Sequence, residues 1–189
     1  MTRILCFAGS ARRASLNRKL ARIAADAARS AGGDVTLIDL ADYALPLYHG
    51  DVELEAGIPL QARDLAALVR SHAGLLIVSP ENNVSVSALL KNTIDWISRI
   101  KDAPAFPGKV AALLAASTGA FGGLRGLYHL RAILNSLGVE VLAQQFVLPR
   151  ANAAFDAEGL LVDPQQTEQV QRLAARLIDV AARLNETHP

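Results

Sequence analysis

The feature that most constrains the fold of this sequence is a regular alternation of short apolar runs with longer amphipathic stretches. In the third and fourth runs the apolar character is nearly continuous. Such runs are typical of strands that are buried on both faces of a parallel sheet. The predicted strands cover residues 3–7, 34–39, 74–79, 109–116 and 140–147.

Each predicted strand is followed by a stretch in which apolar residues recur every three or four positions, which indicates a helix. The predicted helices cover residues 16–30, 60–71, 88–100, 124–137 and 164–184. Strands that alternate with helices predict an α/β fold, in which right-handed crossovers cover both faces of an open parallel sheet. Residues 41–57 contain a proline and several acids, and they are predicted to form a long surface loop.

The length and net charge of the chain limit the classes of function that it can have. The 189 residues suit one domain, and 19 Lys and Arg against 18 Asp and Glu leave a net charge of +1. This balance favours neither nucleic acid nor a membrane surface as a partner. The single cysteine, Cys6, excludes an intramolecular disulfide, and the apolar run after Met1 is too short for a secretion signal. We therefore expect a cytoplasmic protein.

Ligands of open parallel sheets bind beyond the carboxyl ends of the strands, so the loops after strands one, three and four are the candidate site. The first of these, residues 9–17, lacks the further glycines of a dinucleotide fingerprint and the Gly-Lys-Ser/Thr of an ATP-binding loop. Its hydroxyls, its Arg12 guanidinium and its backbone amides could surround a monophosphate. Alternatively, Ser15 only caps the following helix and the arginines are solvated.

The second loop, residues 79–87, is rich in amides and hydroxyls that could bind the polar edge of a heterocycle. The loop taken alone favours a simpler interpretation, in which Asn82-Asn83 forms a turn and Ser87 caps a helix. In the helix that follows, Trp96 is expected in the core or at a subunit interface.

The third loop, residues 117–123, contains three glycines. Glycine allows a backbone to approach a flat ligand closely, although a flexible turn would also use it.

Together, three ordered motifs resemble the NADPH-dependent FMN reductase family, flavodoxin-like proteins that include quinone, azo-compound and chromate reductases. The motifs are Gly9-Ser10-x-Arg12-x-x-Ser15-x-Asn17, Pro80-Glu81-x-Asn83 with Leu90-Lys91-Asn92-x-Ile94-Asp95-Trp96, and Gly122-Gly123-x-Arg125 with Leu130-Arg131. The resemblance covers nearly the whole chain.

The resemblance implies that residues 1–189 form a single flavodoxin-like FMN-binding domain, a three-layer sandwich with strand order 2-1-3-4-5. It implies an oxidoreductase that takes hydride from NADPH or NADH and reduces flavin, quinone or a similar acceptor. The implied phosphate contacts are Ser10, Arg12, Ser15, Leu16 and Asn17. The implied contacts to the rest of FMN are Pro80, Glu81, Asn82, Asn83, Ser117, Thr118, Gly119, Gly122 and Gly123.

The sequence departs from the family pattern at the flavin end. Asn82 stands where a tyrosine is common, and Ser87-Ala88 replaces a common Pro-Gly pair. Loss of an aromatic contact worth about 0.5–1.5 kcal/mol would weaken FMN binding by up to roughly tenfold or a little more.

Flavin chemistry requires no catalytic residue from the protein, and none is predicted. The four histidines, His49, His72, His129 and His188, show no metal-ligand spacing, and no metal is predicted. The alternative function is a non-catalytic flavin- or nucleotide-binding module, a sensor or carrier with a weakened flavin site. The family forms dimers and tetramers, and residues 88–100 with Trp96 are the expected contact surface.

Overall fold

Five parallel strands in the order β2-β1-β3-β4-β5 form the centre of the molecule. The computed structural model describes residues 1–186, so His188 lies outside the described residues. The strands are β1 Arg3–Ala8, β2 Asp34–Asp39, β3 Gly74–Val78, β4 Val110–Ala116 and β5 Glu140–Leu148. The predicted α/β fold and strand order are confirmed, and each strand end lies within one residue of its predicted position.

Position in the sheet explains the hydrophobic pattern of the strands. Every residue of the inner strands β3 and β4 is buried, whereas the edge strands β2 and β5 are only partly covered. Along β1 the side chains alternate between two cores: Ile4 and Cys6 face one, and Leu5 and Phe7 face the other. Each fully buried Leu or Ile side chain contributes about 1.5–3 kcal/mol through the hydrophobic effect.

Within residues 1–186, six α-helices connect and cover the strands. They are α1 Leu16–Ser30, α2 Gly50–Ala56, α3 Leu60–Ser71, α4 Ala88–Ser98, α5 Leu124–Ser136 and α6 Pro164–Glu186. Helices α1 and α6 pack against one face of the sheet, and residues of α3, α4 and α5 join the core on the other face. The five predicted helices are confirmed. The described residues contain no helix that is both long and apolar enough to cross a membrane.

Residues 41–57 lie at the surface as predicted, but the prediction that they form a loop throughout is wrong. The chain forms a 3₁₀ turn at Leu40–Asp42 and then helix α2. No residue of α2 is buried, so the helix leaves no apolar periodicity in the sequence. Capping at its two ends defines the helix instead. His49 Nδ1 accepts a hydrogen bond from the Asp51 amide at 3.2 Å, and Gly57 ends the helix with a φ of +75°.

The segment before α2 is fastened to α4. The carbonyl oxygen of Pro46 accepts hydrogen bonds from Asn92 Nδ2 at 2.9 Å and from Trp96 Nε1 at 2.8 Å. The Tyr48 ring meets the Trp96 ring edge-on, with the centroids 5.1 Å apart. Trp96 is fully buried, so it is a core residue. The expectation that Trp96 lies on a subunit contact surface is therefore wrong.

A bulge interrupts the pairing of β4 with β5. Between Ala111 and Leu113 of β4, the paired positions on β5 advance from Val141 to Gln145. The Arg131 guanidinium from α5 donates to the carbonyl oxygens of Val141 at 3.0 Å and of Leu142 at 2.7 Å. Arg131, which belongs to the third family motif, therefore satisfies backbone carbonyls next to the bulge.

Candidate active site

The three predicted loops meet at the carboxyl ends of β1, β3 and β4, where they enclose a cavity of about 530 Å³, called here the main cavity. Its lining includes ten of the predicted contacts: Ser10, Arg12, Ser15, Leu16, Asn17, Pro80, Glu81, Asn82, Ser117 and Thr118. The sheet topology thus brings together residues that are up to about a hundred positions apart in the sequence, as expected for an open parallel sheet.

The first loop ends in a capped helix. Ser15 is buried, and its Oγ accepts a hydrogen bond from the Arg18 amide at 3.3 Å, so Ser15 does cap α1. The cap serves only that amide. The N–H groups of Leu16 and Asn17, at the start of α1, make no hydrogen bond within the described structure. Helix starts with such free N–H groups attract anions.

Asn17 ties the first loop to the third. Its Nδ2 donates to the carbonyl oxygen of Ala116 at 2.8 Å, and its Oδ1 accepts from the Ala116 amide at 2.9 Å. Ala116 is the last residue of β4, so this pair fixes the start of α1 against the strand that leads into the third loop. A carboxamide has two N–H bonds, which leaves one of them available to a ligand.

The second loop contains a tight turn. Asn82 and Ser85 exchange backbone hydrogen bonds of 2.9 and 3.0 Å, and the two residues between them, Asn83 and Val84, have φ values of +49° and +69°. Two consecutive positive φ values define a type I′ turn. The predicted turn is confirmed, with Asn83 and Val84 at its centre.

The second loop is also joined to the first. Ser87 Oγ accepts a hydrogen bond from the Leu90 amide at 3.2 Å, which confirms Ser87 as the cap of α4. The same hydroxyl donates to the carbonyl oxygen of Gly9 at 2.6 Å. A residue in the place of a common family proline therefore holds two loops of the cavity together.

Glu81 and Arg12 are the only ionisable side chains in the lining of the main cavity, among the residues described. Arg12 has no ion-pair partner in the described part of the chain, whereas Glu81 is paired with Arg125. Burial raises the pKa of Glu81, but hydrogen bonds from Arg125 and from the Gly126 amide, together with the charge of Arg125, lower it more, so the net pKa shift is downward. Glu81 is thus an ionised, paired carboxylate, and Arg12 is the free charge that an anion in the cavity would meet.

Four predicted contacts do not line the main cavity: Asn83, Gly119, Gly122 and Gly123. Asn83 borders a neighbouring groove of about 700 Å³ between α4 and α5, called here the side groove. Gly122 and Gly123 have φ values of +61° and +94°, and a Cβ on either would come within 3.0 Å of protein atoms. Packing within the protein therefore requires these two glycines.

Prediction from the sequence missed some of the lining. Ala88 and Leu89, in the first turn of α4, and Ala116, at the end of β4, also border the main cavity. Apolar side chains such as these carry no chemical signal of their own. Their position at the end of a strand or the start of a helix was the available signal, because those ends meet at one edge of the sheet.

A family model of NADPH-dependent FMN reductases matches residues 2–153. The chain belongs to this family. The main cavity also fits the family's cofactor, because free amides at the start of α1 and the unpaired Arg12 suit a phosphate.

Individual relatives agree with the family assignment. An NAD(P)H-dependent FMN reductase of Pseudomonas aeruginosa is 42% identical over 137 residues, which cover 71% of this chain and 73% of that protein. An NADPH:quinone oxidoreductase of Arabidopsis thaliana is 33% identical, with 97% of this chain and 94% of that protein covered. In structure, the flavoenzyme NAD(P)H:(acceptor) oxidoreductase FerB of Paracoccus denitrificans matches with a TM-score of 0.83, over 97% of this chain and 98% of that chain. At 24% identity, that likeness concerns the fold.

Proposed function

We propose that this protein is an NAD(P)H-dependent FMN-containing oxidoreductase that reduces quinones, flavins or similar small acceptors. The observation that carries the proposal is the main cavity. It lies at the strand ends, it presents the free N–H groups of Leu16 and Asn17, and it holds the unpaired Arg12. Family membership and the named activities of the relatives support the same reaction.

The first loop is proposed to hold the phosphate of FMN. The backbone amides of Leu16 and Asn17, the guanidinium of Arg12 and the hydroxyl of Ser10 would share the phosphate oxygens. The Ser15 hydroxyl, which accepts from Arg18, keeps its own hydrogen to donate. These groups make the loop a site for a monophosphate.

The second and third loops are proposed to border the ribityl chain and the flavin ring. These contacts would come from Pro80, Glu81, Asn82, Asn83, Ser117, Thr118, Gly119, Gly122 and Gly123. FMN, when bound, supplies the hydride chemistry, and the chain's residues bind and orient it. Asn82, which lines the main cavity, is exposed, so this end of the cavity is open to solvent and to small molecules.

Turnover with added FMN tests the proposal. Purified protein is mixed with FMN, NADPH or NADH, and a water-soluble quinone, and the loss of nicotinamide absorbance is followed. The proposal predicts FMN-dependent oxidation at a rate proportional to protein concentration, above the rate of free FMN alone. Tight FMN binding without any nicotinamide oxidation would instead identify a non-catalytic module.

The proposal extends to the whole chain. Residues 1–189 are proposed to form one flavodoxin-like domain, which is supported by the two cores that cover the two faces of one sheet. The protein is proposed to act in the cytoplasm, with a small molecule rather than nucleic acid or membrane as its partner, and as a homodimer or homotetramer. Sedimentation of the purified protein tests the assembly.

A further inference from the structure

Glu81 borders the main cavity, but its carboxylate bonds to α5. Its Oε2 accepts hydrogen bonds from the backbone amides of Arg125 at 3.0 Å and Gly126 at 3.1 Å. Its Oε1 accepts from Arg125 Nε at 2.9 Å and from Arg125 Nη2 at 2.5 Å. The Glu81 side chain is 9% exposed and that of Arg125 is 47% exposed, so the carboxylate is largely shielded from water while the guanidinium remains half exposed.

The two backbone amides that donate to Glu81 have no acceptor within α5 itself. Helix α5 begins at Leu124, so Arg125 and Gly126 lie in its first turn, where N–H groups have no intrahelical acceptor. A serine or aspartate normally serves them from the N-cap position. Here the N-cap is Gly123, where a Cβ would lie 2.7 Å from the Ala115 Cβ. Glu81 therefore caps the helix from 44 positions away in sequence.

Arg125 extends this link to the third loop. Its guanidinium lies 5.1 Å from the centroid of the Phe121 ring, within the range of a cation–π contact. Glu81 of the second loop, Arg125 of α5 and Phe121 of the third loop thus form one connected set. The phosphate end has separate fastenings, namely the Asn17 pair with Ala116 and the Ser87 bond to Gly9.

We propose that Glu81 is a positioning residue that holds the third loop against the second through the start of α5, and that the flavin-ring end of the main cavity depends on this link. The inference rests on the function proposed above. The first loop is the proposed phosphate site, and no hydrogen bond of that loop in the described part of the structure involves Glu81. Loss of the link should therefore weaken the binding of FMN and of riboflavin, which lacks the phosphate, by the same factor.

Glu81→Gln tests the link, because glutamine keeps the size of the side chain and removes its charge. We expect dissociation constants for FMN and riboflavin to rise about tenfold each, which is the lower end of the loss caused by removal of a charged hydrogen bond. The circular dichroism band of bound flavin should also change. The matched control is Glu168→Gln, which removes an exposed ion pair with Arg172 on α6 and should change neither affinity.

Hydrogen exchange of the flavin-free protein gives an independent measurement. In Glu81→Gln, the amides of residues 117–126 should exchange faster than in the unaltered protein, and the amides of α1 should not. If Glu81→Gln fails to fold, Arg125→Met replaces it. This variant keeps both hydrogen bonds from backbone amides to Glu81. We therefore expect the same pattern of faster exchange, with a smaller loss of affinity that is equal for FMN and riboflavin.

Two outcomes would overturn the inference. One is unchanged exchange over residues 117–126 together with unchanged flavin affinity, and the other is a loss confined to FMN, which would place Glu81 at the phosphate. A protein that binds no flavin in its unaltered form would defeat the proposed function instead. In that case, the exchange pattern alone would still decide whether Glu81 links the two loops.

Discussion

Arg12 is the residue on which the phosphate assignment depends most. It lines the main cavity and has no ion-pair partner among the described residues. Arg12→Ala should raise the dissociation constant of FMN by about tenfold to a hundredfold, because a charge-assisted contact to phosphate is worth about 1.5–3 kcal/mol. Riboflavin affinity should hardly change. Fluorescence titration of both flavins measures the difference.

The matched control is Arg13→Ala. Arg13 has the same charge and is exposed one position further along the chain, but it does not line the main cavity. Its removal should change FMN affinity by less than about threefold through the long-range field alone. Equal losses in the two variants, or an equal loss of riboflavin in Arg12→Ala, would show that Arg12 does not contact the phosphate.

Cys6 is predicted to be inert. It is fully buried in β1, and its Sγ lies 3.4 Å from the carbonyl oxygen of Ala21. Burial raises its pKa to about 12, so the reactive thiolate is scarce at neutral pH. A disulfide reagent such as dithiobis(nitrobenzoate) should react within minutes with the protein unfolded in guanidinium. It should not react with the native protein. Rapid reaction of the native protein would contradict this burial.

At the level of elements, the turn in the second loop contains strain. Val84 has a φ of +69°, which is unfavourable for a β-branched residue, and a type I′ turn favours Asn-Gly at its centre. Val84→Gly should therefore raise the free energy of unfolding by about 1 kcal/mol, after allowance for the entropy of glycine in the unfolded chain. Urea denaturation measures it.

Val162→Gly is the control for this substitution. Val162 is exposed and is not among the residues with positive φ, so glycine there should lower the free energy of unfolding or leave it unchanged. A loss of stability in Val84→Gly similar to that in Val162→Gly would mean that the turn is not strained.

We expect His72 to make the junction of α3 with β2 sensitive to pH. Its Nδ1 lies 2.6 Å from the carbonyl oxygen of Leu68, and its Nε2 lies 2.8 Å from Thr36 Oγ1. Burial lowers the pKa of His72 below its ordinary value of 6.5, partly opposed by the bond to Leu68. The folded protein thus prefers the neutral ring. Its contribution to stability is complete above pH 6.5 and is lost as the pH falls below that value.

Urea unfolding at several pH values between about 7.5 and 5.5 checks this expectation. That range is roughly the one in which a histidine of the unfolded chain gains its proton. His72→Gln should be less stable at neutral pH and should show a flatter dependence on pH. An unchanged slope in His72→Gln would assign the pH dependence to other groups.

At the scale of the whole molecule, the architecture was predictable because each inner strand is buried on both faces and each long helix buries one face. Burial on both faces of a strand leaves a nearly continuous apolar run, and burial of one helix face leaves an apolar residue every three or four positions. Helix α2 buries nothing, so its sequence carries no such period, and it was missed. The other features that could not be predicted are contacts between residues far apart in the sequence. The residues around Glu81 and Trp96 do not indicate that Glu81 caps α5 or that Trp96 bonds to Pro46.

The candidate site was predictable to the extent that strand ends converge. Ser10, Arg12 and Ser117 could be placed together once a parallel sheet was expected, because they follow strands that end at the same edge. Asn83, Gly122 and Gly123 fall outside the main cavity for reasons of packing and turn geometry, which depend on atoms far away in the sequence. Their contacts with the cofactor remain predictions.

Titration of the flavin-free protein with FMN and, separately, with riboflavin tests the central claim most directly. The main cavity, with its free amides and unpaired Arg12, should bind one FMN per chain at micromolar protein. Riboflavin should bind at least about tenfold more weakly, because it lacks the phosphate. Absence of FMN binding, or equal affinity for the two flavins, would contradict the assignment of the first loop as a phosphate site.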